Sequence, residues 1–256
     1  MQEIMIPMMV EVPVYDLDPE DYDHLITEDD EPVDNIPSEK QQRLLTESLY
    51  SSLAETDRKF LVCANVGIFA LLKGSPVVPD VLLSMDVEVH EDWWAKAHRT
   101  YYIWEYGKSP DVAIEIVSNK VGDELGGKLK KYARMKVGHY VVYDPTHQLS
   151  AETLTIFHLD GLTYRRDEAR YFPDVKLGLT LWEGEYEGIH TTWLRWVDEL
   201  GNLIATGREG KEQERAAKEQ ERAAKEEERA AKEAALQRTA KLEALLRQLG
   251  QDPNQV

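Results

Sequence analysis

Two acidic residues stand inside sequences that otherwise have the pattern of buried strands. Glu115 interrupts the apolar run Val112–Val117, and Asp80 directly follows Val77-Val-Pro79. Burying an unpaired carboxylate costs several kcal/mol, so each acid must be paired, exposed at a strand end, or bound to a cation. Carboxylates on neighbouring strands can converge on one side of a sheet. We therefore expect Asp80 and Glu115 to hold Mg²⁺, for which Mn²⁺ can substitute.

A basic segment follows the second acid along the chain. Residues 128–136 contain five Lys or Arg side chains in nine positions, and Gly126-Gly127 precedes them. Lys128, the first of these bases, could supply positive charge to an attacking water or to a phosphate. The neighbouring bases predict contacts with a nucleic-acid backbone. They are Lys130, Lys131 and Arg134.

Other familiar catalytic groups are not indicated. The seven histidines include no pair spaced four apart, the spacing typical of a helical zinc site, so a zinc hydrolase is not predicted. Cys63 is the single cysteine and lies in an apolar run, which favours a place in the core over a role as nucleophile. A single cysteine also excludes a disulfide within the chain.

The net charge of −18 does not exclude DNA as a partner, because the acids are unevenly distributed. Residues 1–37 contain 12 acids and no Lys or Arg, which leaves a net charge of −6 on the other residues. The sequence has neither the pattern of a signal peptide nor an apolar run that approaches about 18 residues. We therefore expect a cytoplasmic protein without a membrane span.

The order of elements predicts an α/β fold. Ser38 is expected to begin a helix that reaches about Thr56, with Gln41 completing a capping box. Apolar runs between Phe60 and Met85 predict two adjacent strands. Two further strands are predicted at Asp111–Ser118 and His139–Tyr143, with the helix Glu124–Lys136 between them. Because a helix joins them, these two strands should be parallel.

The sequence beyond these strands predicts a hairpin and then a closing edge of the domain. Thr153–His158 and Leu162–Arg166 flank the turn signal Asp160-Gly161. The segment Trp182–Leu203 is expected to form the edge.

The C-terminal sequence predicts one long helix. A seven-residue repeat in strong helix formers carries Glu–Lys pairs four apart at 214 and 218, 221 and 225, and 228 and 232. Its apolar stripe is alanine until the leucines near the end, so a solvated single helix and self-association both remain open. Those leucines are Leu242, Leu245, Leu246 and Leu249.

Four regions are expected along the chain. They are an acidic N-terminal arm at 1–37, the folded domain at 38–205, a charged helical or coiled-coil tail at 206–249, and a disordered end at 250–256.

Four motifs in this order resemble the bacterial Uma2 family of restriction-endonuclease-like proteins, which belongs to the PD-(D/E)XK nuclease superfamily. The resemblance covers about residues 38–205. It implies a restriction-endonuclease-like mixed sheet flanked by helices, to which the sequence adds the long C-terminal helix. The motifs are Val78–Asp80, Asp111–Ser118, Asp123–Tyr132 and Val137–Pro145.

The resemblance also implies roles for individual residues. Asp80 matches the first metal-binding acid of the superfamily and Glu115 the second. The usual lysine two residues after the second acid is replaced by Val117, and in this family it corresponds to Lys128 on the following helix. Glu47, on the first helix, is the candidate for the additional acid that some members of the superfamily place there.

The expected function is therefore that of a Mg²⁺-dependent endonuclease that hydrolyses phosphodiester bonds in DNA. A second hypothesis is a catalytically inactive protein of the same fold that binds DNA or assembles through its helical tail into a homo-oligomer. Net acidity and the displaced lysine favour this second hypothesis.

Overall fold

The computed structural model describes residues 35–53, 56–118 and 123–248. The predicted acidic arm lies outside these residues up to position 34, and so does the predicted end 250–256. The chain divides into two units, one that extends to Gly207 and one that starts at Arg208.

The described residues form an α/β arrangement with four α-helices. The helices are α1 (Ile36–Leu53), α2 (Ile103–Tyr106), α3 (Leu129–Met135) and α4 (Gly207–Gln248). The strands are β1 (Phe60–Ala64), β2 (Ile68–Phe69), β3 (Val81–Met85), β4 (Tyr101–Tyr102), β5 (Val112–Ile116), β6 (His139–Tyr143), β7 (Leu154–Asp160), β8 (Thr163–Asp167), β9 (Tyr171–Phe172), β10 (Leu177–Tyr186) and β11 (Ile189–Val197).

The central element is a six-stranded mixed sheet with the order β1-β3-β5-β6-β7-β8. Strands β5 and β6 are parallel, as the intervening helix predicts, and the other neighbours are antiparallel. The predicted hairpin is also present, since β7 and β8 pair across a turn in which Gly161 has a φ of 64°. This mixed sheet with flanking helices confirms the predicted fold class.

The segment predicted as a closing edge belongs to a second sheet. Strand β10 begins at Leu177, earlier than predicted, and pairs with β11 along its whole length and with β9 at its start. This three-stranded sheet has the order β11-β10-β9 and is separate from the six-stranded one. The short strands β2 and β4 form a parallel pair of their own.

Strand β5 is buried on both faces because each face packs against a different layer. Val112, Ile114 and Ile116 contact α1 and the three-stranded sheet. Ala113 faces the opposite cluster, which includes Tyr132 of α3. Because side chains alternate along a strand, Glu115 shares this second face. The helix after β5 therefore covers the same side of the sheet as Glu115.

Helix α1 begins before the predicted position. Asn35 caps it, since its Oδ1 accepts the backbone N–H of Ser38 at 3.1 Å. The predicted capping box at Ser38 and Gln41 is wrong, because Gln41 is buried and uses its side-chain amide on the backbone of Leu194 in β11. The predicted apolar face is confirmed, with Leu44, Leu45 and Leu49 in the core.

The predicted helix Glu124–Lys136 is two different structures. Residues Glu124–Lys128 form a π-helical turn, and α3 then runs from Leu129 to Met135. Lys136 ends the helix with a φ of 61°. A π turn carries an extra residue per hydrogen-bonded ring and is frequent at functional sites.

The unit that starts at Arg208 is one long helix over its described length. The helix α4 has 42 residues, and the three predicted Glu–Lys pairs are present. Leu242 is exposed, whereas Leu249 lies outside the described residues. Among the described helices, α4 included, none is long and apolar enough to cross a membrane.

Candidate functional site

Asp80 lies directly before one strand of the mixed sheet, and Glu115 lies on the neighbouring strand. Strands β3 and β5 are antiparallel, and Val81 is paired with Ile114. Asp80 directly precedes β3, and its Oδ2 accepts the backbone N–H of Ile116 at 2.5 Å. The side chain of Asp80 thus adds one hydrogen bond to β5 just before the first residue of β3. This contact holds the Asp80 carboxylate against the peptide that follows Glu115.

Glu115 is buried and fully hydrogen-bonded. Its side chain is 2% exposed. One carboxylate oxygen, Oε2, lies 2.9 Å from Lys128 Nζ, and the other, Oε1, accepts the hydroxyl of Tyr132 at 2.7 Å. Burial raises the pKa of Glu115, while Lys128 and Tyr132 act to lower it. The charge of Glu115 is therefore balanced by partners rather than by water.

Lys128 reaches Glu115 from the last position of the π turn. Its Nζ also lies 3.5 Å from Glu124 Oε1. Burial acts to lower the pKa of Lys128, but the attraction of Glu115 and Glu124 outweighs it, and the pKa is raised. Lys128 is thus a persistent ammonium group between two carboxylates.

The glycines before Lys128 explain why the chain widens into a π turn here. A Cβ on Gly126 would lie 2.1 Å from Asp123 Oδ1, and one on Gly127 would lie 2.2 Å from Asp123 Oδ2. The Asp123 carboxylate therefore covers both glycines. The backbone N–H of Lys128 donates to the carbonyl of Asp123, five residues earlier, at 3.0 Å. This closure sets the position from which Lys128 extends to Glu115.

Three residues of the site were not assigned a role there from the sequence. Glu124 contacts Lys128, and its Oε2 is buried without a hydrogen-bond partner. Tyr132 holds Glu115, and Gln42 on α1 donates its amide to Asp80 Oδ1 at 2.9 Å. Glu124 and Tyr132 each lie four positions from Lys128, a helical spacing that could have indicated them. Gln42 has no comparable signal.

Glu47 lies on a different face of α1 from Gln42. The two residues are five apart, which places them about 140° apart around a helix. Glu47 Oε1 accepts the backbone N–H of Gly207 at 2.7 Å and the hydroxyl of Ser51 at 2.8 Å. The contacts found for Glu47 in the described part of the chain join it to neither Asp80 nor Glu115.

The other bases of the predicted nucleic-acid contact are not among the partners found for Glu115 in the described residues. Lys131 and Arg134 line a cavity of about 770 Å³, together with Lys108 and Lys136. Lys130 is exposed and does not line this cavity. The cavity includes residues at the C-terminal end of α3, whereas Lys128 precedes the N-terminal end.

The composition of the site suits a divalent cation. The carboxylates of Asp80, Glu115 and Glu124 surround one ammonium group, which leaves a formal excess of two negative charges. Carboxylate oxygens are the ligands that Mg²⁺ and Mn²⁺ prefer. The buried Oε2 of Glu124 has no hydrogen-bond partner and would gain one from a cation or its water.

Comparison with known proteins identifies the family of the chain. Residues 27–182 match the Uma2 family, whose description is "Putative restriction endonuclease". The match covers more than half of the chain, so the chain belongs to this family. It includes Asp80, Glu115 and Lys128 and excludes β11 and α4. No curated protein matches the chain.

Proposed function

We propose that this member of the Uma2 family is a Mg²⁺-dependent endonuclease that hydrolyses phosphodiester bonds in DNA. The observation that carries the proposal is the 2.9 Å contact between Lys128 Nζ and Glu115 Oε2. The resemblance to the superfamily predicts a lysine two residues after the second acid, but that position is Val117. Lys128 supplies that ammonium group from the π turn, which supports an intact acid and lysine pair.

In this proposal Asp80 and Glu115 hold the metal ion, with Glu124 beside them. A bound Mg²⁺ would polarise the scissile phosphate and acidify the attacking water. Glu115 can bind the ion while it keeps both present partners, because a carboxylate has about four acceptor sites and Lys128 and Tyr132 use two of them. Mn²⁺, which takes the same oxygen ligands, is expected to replace Mg²⁺.

Lys128 acts in this proposal as an electrostatic group rather than as a base. Its pKa is raised, so it stays protonated at neutral pH and cannot accept a proton from water. An ammonium group has three donors, and Glu115 and Glu124 use two of them. The third can be donated to a phosphate oxygen, which stabilises the charge that develops during hydrolysis.

Tyr132 acts as a positioning residue. Its hydroxyl fixes one oxygen of Glu115, and its ring is fully buried next to Tyr140. Burial raises the pKa of Tyr132 well above its ordinary value, so the hydroxyl remains a donor. The orientation of Glu115 is therefore set before any metal ion binds.

Binding of the DNA backbone is assigned to the exposed bases of α3. Lys130, Lys131 and Arg134 are exposed on the helix that begins directly after Lys128. Contacts of this kind bind phosphates without regard to sequence and depend strongly on salt concentration.

One observation favours the second hypothesis, an inactive protein that binds DNA or assembles through its tail. Both oxygens of Asp80 and both oxygens of Glu115 accept hydrogen bonds from the chain itself. A metal ion must therefore share each of these oxygens with a donor that the chain already supplies. Exposed Leu236 and Leu242 on α4 offer apolar surface for self-association.

The two hypotheses differ in a cleavage assay on supercoiled plasmid DNA with the full chain. We expect Mg²⁺ or Mn²⁺ to produce nicked and linear DNA, and we expect a chelator or the Glu115→Gln substitution to prevent it. Metal-dependent binding of the plasmid without any product would instead support the inactive binding protein. Sedimentation of the chain before and after Leu242→Gln combined with Leu245→Gln tests assembly through the tail.

A further inference from the structure

Three metal-binding side chains meet outside the acid site. His90, His98 and Glu105 each offer one ligand atom, and these atoms all lie within 4.8 Å of one another. The rings of His90 and His98 are nearly parallel, at 7°, with centroids 3.9 Å apart. Across 35–53, 56–118 and 123–248, no other three His, Cys, Asp or Glu residues meet this criterion.

A backbone contact prepares His98 to bind a metal ion. Its Nδ1 lies 2.7 Å from the carbonyl oxygen of Asp92. A carbonyl oxygen only accepts hydrogen bonds, so Nδ1 carries the proton. In the neutral ring the lone pair is then on Nε2. Histidine ligands of metal ions are oriented in this way, by a second hydrogen bond from the nitrogen that does not bind the metal.

We propose that His90, His98 and Glu105 bind Zn²⁺. Two imidazoles and a carboxylate are a ligand set that Zn²⁺ takes, with a water in the fourth position. Bonds of about 2.1 Å in tetrahedral geometry would place the ligand atoms about 3.4 Å apart. The ligand atoms, which lie within 4.8 Å of one another, would close to this separation on the ion. The proposal does not depend on the endonuclease activity.

The three ligands come from elements that differ in how firmly they are held. Glu105 is on α2, directly after the buried Tyr101 and Tyr102 of β4. His90 and His98 are on the connection between β3 and β4, where His98 ends a short 3₁₀ helix. A shared metal ion would fasten this connection to α2 and the core.

The connection also carries the most exposed aromatic pair of the domain. Trp93 and Trp94 are 60% and 71% exposed and lie in sequence between the two histidines. A metal ion bound by His90 and His98 would close this loop and reduce its freedom. The site thus has a structural role, with slower amide exchange across residues 86–98 as its signature.

The test uses the full chain, first treated with a chelator and then titrated with Co²⁺, whose visible bands report on tetrahedral coordination. We expect one equivalent of Co²⁺ to give these bands and Zn²⁺ to displace it. Excess Mg²⁺ should leave the bands unchanged, because Mg²⁺ prefers oxygen ligands. Hydrogen exchange should slow across residues 86–98 when Zn²⁺ is added.

Two variants and one control identify the ligands. His98→Ala and Glu105→Gln should each weaken Co²⁺ and Zn²⁺ binding by at least about tenfold. Glu105→Gln keeps the size of the side chain, so this variant still tests the site if His98→Ala does not fold. His190→Ala, an exposed histidine on β11, should bind as the unaltered chain does. Absence of the bands in the unaltered chain, or unchanged binding in both ligand variants, would overturn the proposal.

Discussion

The basic segment at residues 128–136 has two ends that differ in surroundings. At its start, Lys128 is 31% exposed and contacts the buried carboxylate of Glu115. Further along, Lys131 and Arg134 are exposed and line an open cavity. Charges that are shielded from water interact more strongly, and exposed ones are weakened by salt. Similar side chains a few residues apart are therefore suited to different tasks.

The two ends of the segment also differ in backbone conformation. The π turn ends at Lys128, directly before the regular helix α3 that carries Lys131 and Arg134. In a regular helix, residues three and four apart share a face. Tyr132 lies four positions after Lys128, and both side chains contact Glu115. Lys131 and Arg134, three apart, are exposed and line the cavity. We expect the first end to govern the chemical step and the second to govern affinity.

The largest loss of cleavage should come from substitution of the acids Glu115 and Asp80. Glu115→Gln should lower metal-dependent cleavage by about a thousandfold, because it removes a charged ligand worth several kcal/mol in the transition state. Asp80→Asn should have an effect of the same order. Plasmid cleavage at saturating Mg²⁺ measures both. If cleavage survives either substitution, the assignment of Asp80 and Glu115 as metal ligands is wrong.

The stability of Glu115→Gln separates loss of function from loss of fold. Burial raises the pKa of Glu115, so its contribution to folding is present below its ordinary pKa and is lost as pH rises through the folded value. Glutamine does not ionise, so the variant does not lose stability in this way as the pH rises. The melting temperature of the variant relative to the unaltered chain should therefore rise from acid to neutral pH. A variant that is unfolded at neutral pH would contradict this expectation.

Replacement of Lys128 directly tests the difference between the two ends of the basic segment. Lys128→Ala should lower cleavage by about a hundredfold, since it removes a charged donor from a shielded site. Lys131→Ala removes an identical side chain from the exposed end and is the matched control. Single-turnover rates at saturating DNA distinguish the two. Equal losses in both variants would mean that the basic segment acts as one patch.

Much of the fold could be predicted because it depends on local patterns. Strand β5 was visible as an apolar run, and the parallel pairing of β5 and β6 follows from the helix between them. Asp80 and Glu115 were found for a similar reason, since an acid in a buried strand is conspicuous. The family match supports the predicted fold class independently.

The remaining features depend on contacts that the local sequence does not encode. Gln41 and Gln42 are adjacent amides, yet one binds the backbone of Leu194 and the other binds Asp80. Only the packing of α1 against two sheets decides which does which. The π turn was also missed, because Gly126-Gly127 before a helix more commonly indicates a simple start. In the turn, the Asp123 carboxylate occupies the space that a side chain on either glycine would need.

The exposed end of the segment should affect affinity more than rate. The double substitution Lys131→Ala with Arg134→Ala should weaken DNA binding by roughly tenfold. It should also reduce the slope of log affinity against log salt concentration by the contribution of about two phosphate contacts. Turnover at saturating DNA should remain that of the unaltered chain. Binding titrations at several salt concentrations measure the slope. An unchanged slope would place the DNA on another surface.

The smallest effect is expected from Tyr132→Phe, which keeps the buried ring and removes only the hydroxyl that holds Glu115. A single hydrogen bond contributes about 1 kcal/mol, so cleavage at neutral pH should fall by roughly fivefold. The hydroxyl acts to lower the pKa of Glu115, and its removal therefore raises that pKa further. Because Glu115 must be ionised to hold the metal ion, the acidic limb of the rate profile should move to higher pH. Tyr140→Phe is the matched control, since its hydroxyl donates to the backbone carbonyl of Glu124 and not to Glu115. A rate that falls without movement of the acidic limb would mean that Tyr132 supports the packing of α3 and does not tune Glu115.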